Sequence, residues 1–298
     1  MTSPSLLTNS VSLYLSAVLI WGSTWFAIKF QLGVVAAEVS LVYRFGMAAI
    51  ILLLFCVFSG RRLKYSASQH GFIALQGLFL FSSNYLVFYW ATGLLTSGIV
   101  ALMYSTVILM NIVNGALFMR TRVRPRVILG AGFGIAGIAA IFWSEVSGVD
   151  DTADTWRGLW MCLLATYFAS IGNIISARNQ KNDIPVIQTN AWGMAYGALI
   201  MTIYALFSGV TFDYDPAPAY SLSLIYLAVF GSILAFGSYL TLVGRIGADK
   251  AAYAAVLFPV IALGLSTLFE DYQWTLRALF GFALVLLGNY IVLSRSRK

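Results

Sequence analysis

GFIALQGLFLFSSNYLVFYWATG, residues 71–93, runs for 23 positions without an Asp, Glu, Lys, Arg or His. At a rise of about 1.5 Å per residue, a helix of that length exceeds the roughly 30 Å hydrocarbon core of a bilayer. Nine more charge-free runs accompany it, at 11–28, 45–59, 98–119, 127–143, 158–177, 186–208, 221–244, 251–269 and 278–294. All but 45–59 reach 17 residues, and that run becomes a span only by extending back through Arg44 to about Val39. With 60 % hydrophobic and 10 % charged residues, against roughly 25 % charged in soluble domains, the chain is excluded from the water-soluble class. Runs this long do not fit the roughly 10-residue alternating strands of a membrane barrel. The expected fold is therefore an all-α membrane protein with ten transmembrane helices. Val11 opens the first run with no basic residue before it, as in a retained span rather than a cleaved leader.

The net charge of +7 is unevenly placed. Alternate loops hold Arg61, Arg62 and Lys64; Arg120, Arg122, Arg124 and Arg126; Arg178 and Lys181; Arg245 and Lys250; and Arg295, Arg297 and Lys298, together 14 of the 18 basic residues. By the positive-inside rule these loops face the cytoplasm, and both termini with them. The intervening loops hold nine of the eleven acids, among them Glu38, Glu145, Asp213 and Glu270. Membrane topology accounts for the basic loops, so no nucleic-acid partner is expected. The bilayer itself is the expected surrounding.

Sliding the chain on itself by 151 residues sets Gly93 on Gly244, Ala101 on Ala252, Leu117-Phe118 on Leu268-Phe269, Arg126 on Arg277, Gly130 on Gly281 and Gly137 on Gly288. The acidic stretch SEVSGVDDTADTW, residues 144–156, divides the halves. Residues 1–147 and 148–298 then form two five-helix repeats. Because five is odd, the second is inverted in the membrane, an architecture of transporters with a midplane site between the halves.

Chemistry inside the runs is sparse. One histidine, His70, stands at a loop edge, and no carboxylate lies within any run. Without an acid–base pair or a set of metal ligands, neither an enzyme nor a cofactor or metal is expected. A buried acid or histidine relay for proton coupling is missing as well. Cargo would move down its own gradient, or coupling would use groups near the helix ends. Cys56 and Cys162 lie in apolar runs, where a small buried side chain is the ordinary role.

What remains is aromatic and amide chemistry. Tyr104, Asn111 and Asn114 fall on one helical stripe, and Thr166, Ser170 and Asn173 on another, bordered by Tyr167. Asn84, Tyr85 and Phe88 share a third run, and the 151-residue shift sets Phe88 on Tyr239. Such groups either hydrogen-bond and pack neighbouring helices or line a cavity for a small molecule. GAGFGIAG places Gly130, Gly134 and Gly137 on one face, suited to close helix approach. Pro259 removes a backbone hydrogen bond and predicts a kink.

WGSTWFAIKFQL, residues 21–32, followed by YRFGMAAIILLL, residues 43–54, resembles the opening of the drug/metabolite transporter superfamily, in particular its EamA-type members. ATGLLTSGIVAL and LVGRIGADKAAYAAVLFPVIALGLSTLFE are similar to the family's repeated segment, with Pro259 and Glu270 at its marked positions. The first half departs from it, with Ile108 and Met119 at the equivalents. The resemblance implies a bacterial inner-membrane carrier working by alternating access, often an exporter of amino acids or small metabolites. YddG-like aromatic amino-acid exporters are the nearest kin suggested. Nucleotide sugars, drugs or quaternary amines are alternative cargoes on the same scaffold, because fold does not fix cargo. A non-transporting membrane enzyme or scaffold is the remaining class. The implied cavity, between helices 1, 3, 4, 6, 8 and 9, nominates Trp21, Asn84, Tyr85, Phe88, Tyr104, Asn111, Tyr167, Asn173, Tyr239 and Tyr253 for a small-molecule substrate. Oligomeric state is left open, a monomer being sufficient for this architecture.

Arg44, Lys29 and Glu38 gather at the predicted outer face as a rim or gate. Two roles are open to Arg44: a snorkelling anchor paired with Glu38, or a vestibule charge that attracts a substrate carboxylate.

Overall fold

The computed structural model describes residues 10–120, 125–146, 152–239 and 254–293, and every regular element among them is helical. In chain order these are α1 (Ser10–Lys29), α2 (Ala37–Phe58), α3 (Ala67–Leu94), α4 (Ser97–Met119), α5 (Pro125–Val146), α6 (Thr152–Lys181), α7 (Val186–Phe207), α8 (Pro218–Tyr239), α9 (Ala254–Phe269) and α10 (Leu276–Leu293). Seven of them, α1–α4 and α6–α8, are long and apolar enough to cross a membrane. The other three carry shorter apolar stretches, Ile128–Ile141, Leu257–Phe269 and Leu276–Ile291. Length and composition thus bear out seven of the ten expected crossings. Ile50, Leu54, Phe58, Leu117, Leu206 and Phe207 stand exposed on the outside, as they do where lipid takes the place of water.

Local chemistry sets the helix ends. At the start of α3, the Ser66 hydroxyl accepts from the Gln69 amide at 3.3 Å while the Ser66 amide donates to Gln69 Oε1 at 2.9 Å, a capping box that satisfies two otherwise orphan donors. Gly60, with φ at 61°, closes α2. The Arg61 amide there returns to the Cys56 carbonyl at 2.8 Å, a left-handed stop that glycine accommodates without strain. α3 and α8 both pass through wide π-turns, at Phe79–Ser83 and Tyr226–Leu234. α4 is interrupted after Tyr104, where the Ser105 and Thr106 hydroxyls turn back to the Leu102 and Met103 carbonyls at 2.6 and 2.8 Å. These side chains compete with the helical ladder for the same acceptors.

Packing follows a regular scheme. α5 lies along α10, α2 along α7, and α3 against α6 and α7; α1 packs on α8 and α9, α4 on α6 and α9, and α2 on α8. Glycine permits the closest of these approaches. A Cβ on Gly137 would lie 2.5 Å from the Gly281 carbonyl oxygen, and one on Gly288 would lie 2.5 Å from that of Gly130. α3 and α7 meet equally closely, since a Cβ on Gly77 would be 2.5 Å from the Gly193 oxygen. Such faces bring backbones together where no hydrophobic drive operates between helices in lipid.

Candidate functional site

α1 carries Trp21 and Trp25 one turn apart, and each indole meets a different group of helices. Trp21 packs edge-on against Phe236 of α8 and Phe258 of α9, with ring centroids at 5.0 and 5.4 Å, and lies 5.2 Å from the Tyr239 ring. Its Nε1 donates to the Gly231 carbonyl at 3.1 Å, which fixes the ring against α8. Trp25, one turn on along the same helix face, meets different neighbours. It packs on Phe88 of α3 at 5.0 Å and Tyr104 of α4 at 5.3 Å, and those two rings touch each other at 5.7 Å. Edge-to-face pairs of this kind add roughly 0.5–1.5 kcal/mol each beyond area burial and hold rings in defined orientations. Two aromatic clusters therefore flank α1, one toward α8 and α9 and one toward α3 and α4.

Polar groups punctuate this wall. Ser23 Oγ and the Tyr226 hydroxyl are 2.7 Å apart, joining α1 to α8. Asn173 Nδ2 donates to Asn111 Oδ1 at 3.4 Å, and Asn114 Nδ2 donates to Ser170 Oγ at 2.8 Å, so the two polar stripes expected on α4 and α6 face each other. Asn84 is buried, and its Oδ1 has no partner.

Arg44 lies elsewhere than a snorkelling anchor would. Its side chain is 1 % exposed and runs into the bundle. Nε donates to Ser232 Oγ of α8 at 3.2 Å, and the rings of Tyr85 and Phe45 sit 4.6 and 5.1 Å from the guanidinium carbon. Glu38 forms no ion pair with it, and Nη1 is buried without an acceptor. A seven-residue offset into α2 moves the charge about 10 Å from the helix start, and its rotamer points toward α3 and α8 rather than back to the interface.

Lys29 and Glu270 do pair. Lys29 Nζ is 3.5 Å from Glu270 Oε1 and donates to the Leu95 carbonyl at 2.8 Å. The carboxylate accepts from the Ser97 amide at 3.1 and 3.2 Å and from the hydroxyls of Ser97 and Ser266. Ser266 Oγ also receives the Gly98 amide at 2.7 Å. Ser266 of α9 and Glu270 just beyond its end thereby cap α4, whose own preceding residue Thr96 provides no side-chain cap. A carboxylate suits the positive end of a helix. This cluster ties the ends of α1 and α9 to the start of α4.

A family model described as the EamA-like transporter family matches residues 8–143 and again 156–294. The chain belongs to the EamA-like transporter family. The "Uncharacterized inner membrane transporter YedA" of Escherichia coli strain K12 is 28 % identical over 282 residues, covering 92 % of this chain and 89 % of the relative. The "Probable amino-acid metabolite efflux pump" of the same organism is 23 % identical over 205 residues, covering 65 % of this chain and 67 % of that one. A solved crystal structure has the same fold, with a TM-score of 0.69 at 15 % identity over 95 % of each chain. The family and these names mark a membrane transporter rather than an enzyme.

Within this EamA-like fold the nominated residues fall into several contact groups. Trp21 and Tyr239 meet in one cluster, Phe88 and Tyr104 in the other, Tyr85 covers Arg44, and Asn111 and Asn173 bond each other. Tyr167 is 42 % exposed and makes no ring contact or hydrogen bond among the described residues. Tyr253 lies outside the described residues. Pro259 is buried inside α9, which is helical on both sides of it. Trp25, Phe236 and Phe258 were not among the sequence-based candidates. The four-residue spacing of Trp21 and Trp25 on one helix face was the signal for the first of them.

Proposed function

We propose that this transporter exports amino acids or related small metabolites from the cytoplasm, by alternating access between two inverted five-helix halves, residues 1–147 and 148–298, in a bacterial inner membrane with both termini inside. The observation that carries the reading is the pair of aromatic clusters on Trp21 and Trp25. The Trp21 cluster puts a ring wall with a few hydrogen-bonding groups between α1 of the first half and α8 and α9 of the second, and the Trp25 cluster continues it among α1, α3 and α4 of the first half. Small-molecule sites have that mixed lining.

The inverted repeat has independent support. Moving each helix five places along the chain turns the α1–α9 contact into α6–α4, α3–α7 into α8–α2 and α3–α6 into α8–α1, all of them present. The 151-residue shift carries the Gly137–Gly281 contact onto Gly288–Gly130, the other close approach of the same helix pair. It also carries the π-turn Phe79–Ser83 into Tyr226–Leu234. The two separate family matches are offset by 148 residues at their starts and 151 at their ends, and the basic loops favour cytoplasmic termini.

Amino acids come first among cargoes because a relative bears that name and the walls are aromatic. A quaternary amine would suit the rings but would meet the unbalanced charge of Arg44. Proteoliposomes loaded with each labelled amino acid test the proposal. Saturable efflux of at least one supports it, and the absence of saturable flux for all twenty refutes it.

A further inference from the structure

The Arg44 guanidinium is occupied at one edge and open at the other. Nε is bonded to Ser232 Oγ, which passes its own proton to the Leu227 carbonyl at 3.0 Å inside the wide turn of α8. Tyr85 and Phe45 cover the guanidinium. Nη1 is buried with no acceptor, and the Tyr89 hydroxyl, also buried and without a bond of good geometry, faces the same group. Nη2 reaches Gly231, where an added Cβ would stand 3.5 Å from it. Gly231 is the residue whose carbonyl anchors Trp21. The open edge of the charge therefore borders the aromatic cluster and is not part of a separate outer rim.

No described group balances this charge. Lys29–Glu270 is the only ion pair among the described residues. Two ring faces offset only part of what it costs to take an ion out of water. What best completes such a site is an anion of matching shape. A guanidinium edge presents parallel donors at the spacing of a carboxylate.

We infer that Arg44, with the Tyr89 hydroxyl beside it, is the carboxylate-recognition point of the cargo site. The cargo is then a small organic carboxylate, an amino acid or a simple acid, whose carboxylate receives the open edge of the guanidinium while its apolar part lies toward Trp21. This deepens the transport reading and rests on it. Among the described residues no carboxylate is paired with Arg44 or bonded to it to meet the amine of an amino acid, so an acid lacking the amine should bind as well.

The test is thermal unfolding of the purified full-length chain with millimolar L-amino acids, their carboxamides and 3-phenylpropionate as probes. The wild type should be stabilised by an acid and not by its amide. Arg44→Gln should fold at an unchanged or higher temperature, since it removes an unbalanced buried charge, and should need at least about 10-fold more acid for the same shift, the loss expected for one charge-assisted hydrogen bond. Arg44→Lys should retain part of the acid preference. Equal stabilisation by acid and amide in the wild type overturns the inference without any variant, and so does an acid preference that survives in Arg44→Gln. The outcomes separate from those of the transport assay. An Arg44-dependent acid shift with no flux would remove the carrier reading and keep the site, whereas saturable flux of acids and amides alike would remove the site and keep the carrier.

Discussion

Replacing Glu270 by Gln probes the clamp between α1, α4 and α9. The side chain of Glu270 is 11 % exposed and that of Lys29 30 %, at 3.5 Å separation. In a surrounding of effective dielectric about 20, opposite unit charges at that distance attract by about 5 kcal/mol. Desolvation of both ions and water at the Lys29 side offset much of this. The substitution also turns an acceptor-only group into one whose amide protons confront the Ser97 amide and two hydroxyls. Removing one partner of a buried pair costs roughly 3–5 kcal/mol, and the partial exposure of Lys29 points to the lower figure. About 3 kcal/mol corresponds to an opening equilibrium shifted roughly 150-fold.

Hydrogen exchange read by mass spectrometry reports that shift where it matters. The amides of Ser97 and Gly98, held by Glu270 and Ser266, should exchange on the order of 100-fold faster in Glu270→Gln, while peptides from α5 and α10 keep their wild-type rates. Lys29→Met should have a smaller effect, on the order of 1 kcal/mol, as a partly solvated pair warrants. In the double variant the Lys29 substitution should add almost nothing, because its partner is already gone. Unchanged exchange at the start of α4, or equal acceleration across the whole chain, would refute the clamp.

Other expectations are simpler to check. Gly137→Ala should lower the unfolding temperature in detergent by an amount equivalent to about 1–3 kcal/mol, the cost of overpacking, because its new Cβ meets the backbone of α10; Gly132→Ala, with open space around it, should be neutral. Tyr104→Ala and Tyr239→Ala should each cut efflux at least about 10-fold while the protein still reaches the membrane folded; full transport in both would remove these rings from the cargo path. Asn173→Ala should cost only about 0.6 kcal/mol, the average for hydrogen bonds between membrane helices, and a loss several times larger would make the α4–α6 stripe a structural anchor.

Several features were readable before any coordinates because they depend on composition or on backbone alone. The charge-free runs mark helices, since lipid offers the backbone no other partner. The register of the repeat was visible in Gly130, Gly137, Gly281 and Gly288, and those glycines are the ones in contact between α5 and α10. Residues whose meaning depends on which helix faces them were not readable. Arg44 looked like an interfacial charge because its depth was known and its direction was not. Asn111 and Asn173 were assigned to separate stripes, and only the α4–α6 contact makes them partners. The π-turns leave no pattern in hydrophobicity, so the turn that brings Ser232 to Arg44 had no sequence signal.

The glycine seam has a consequence for how the chain reaches its final form. Gly137 and Gly281 are 144 positions apart, so at synthesis rates of about 5–20 residues per second the second emerges roughly 7–29 s after the first. Throughout that interval the small-residue face of α5 has only lipid to cover it, and lipid chains fill a groove shaped for a backbone poorly. A nascent chain stalled or truncated before α10 therefore presents a specific adhesive surface, and a quality-control protease or a second unfinished chain is what would find it.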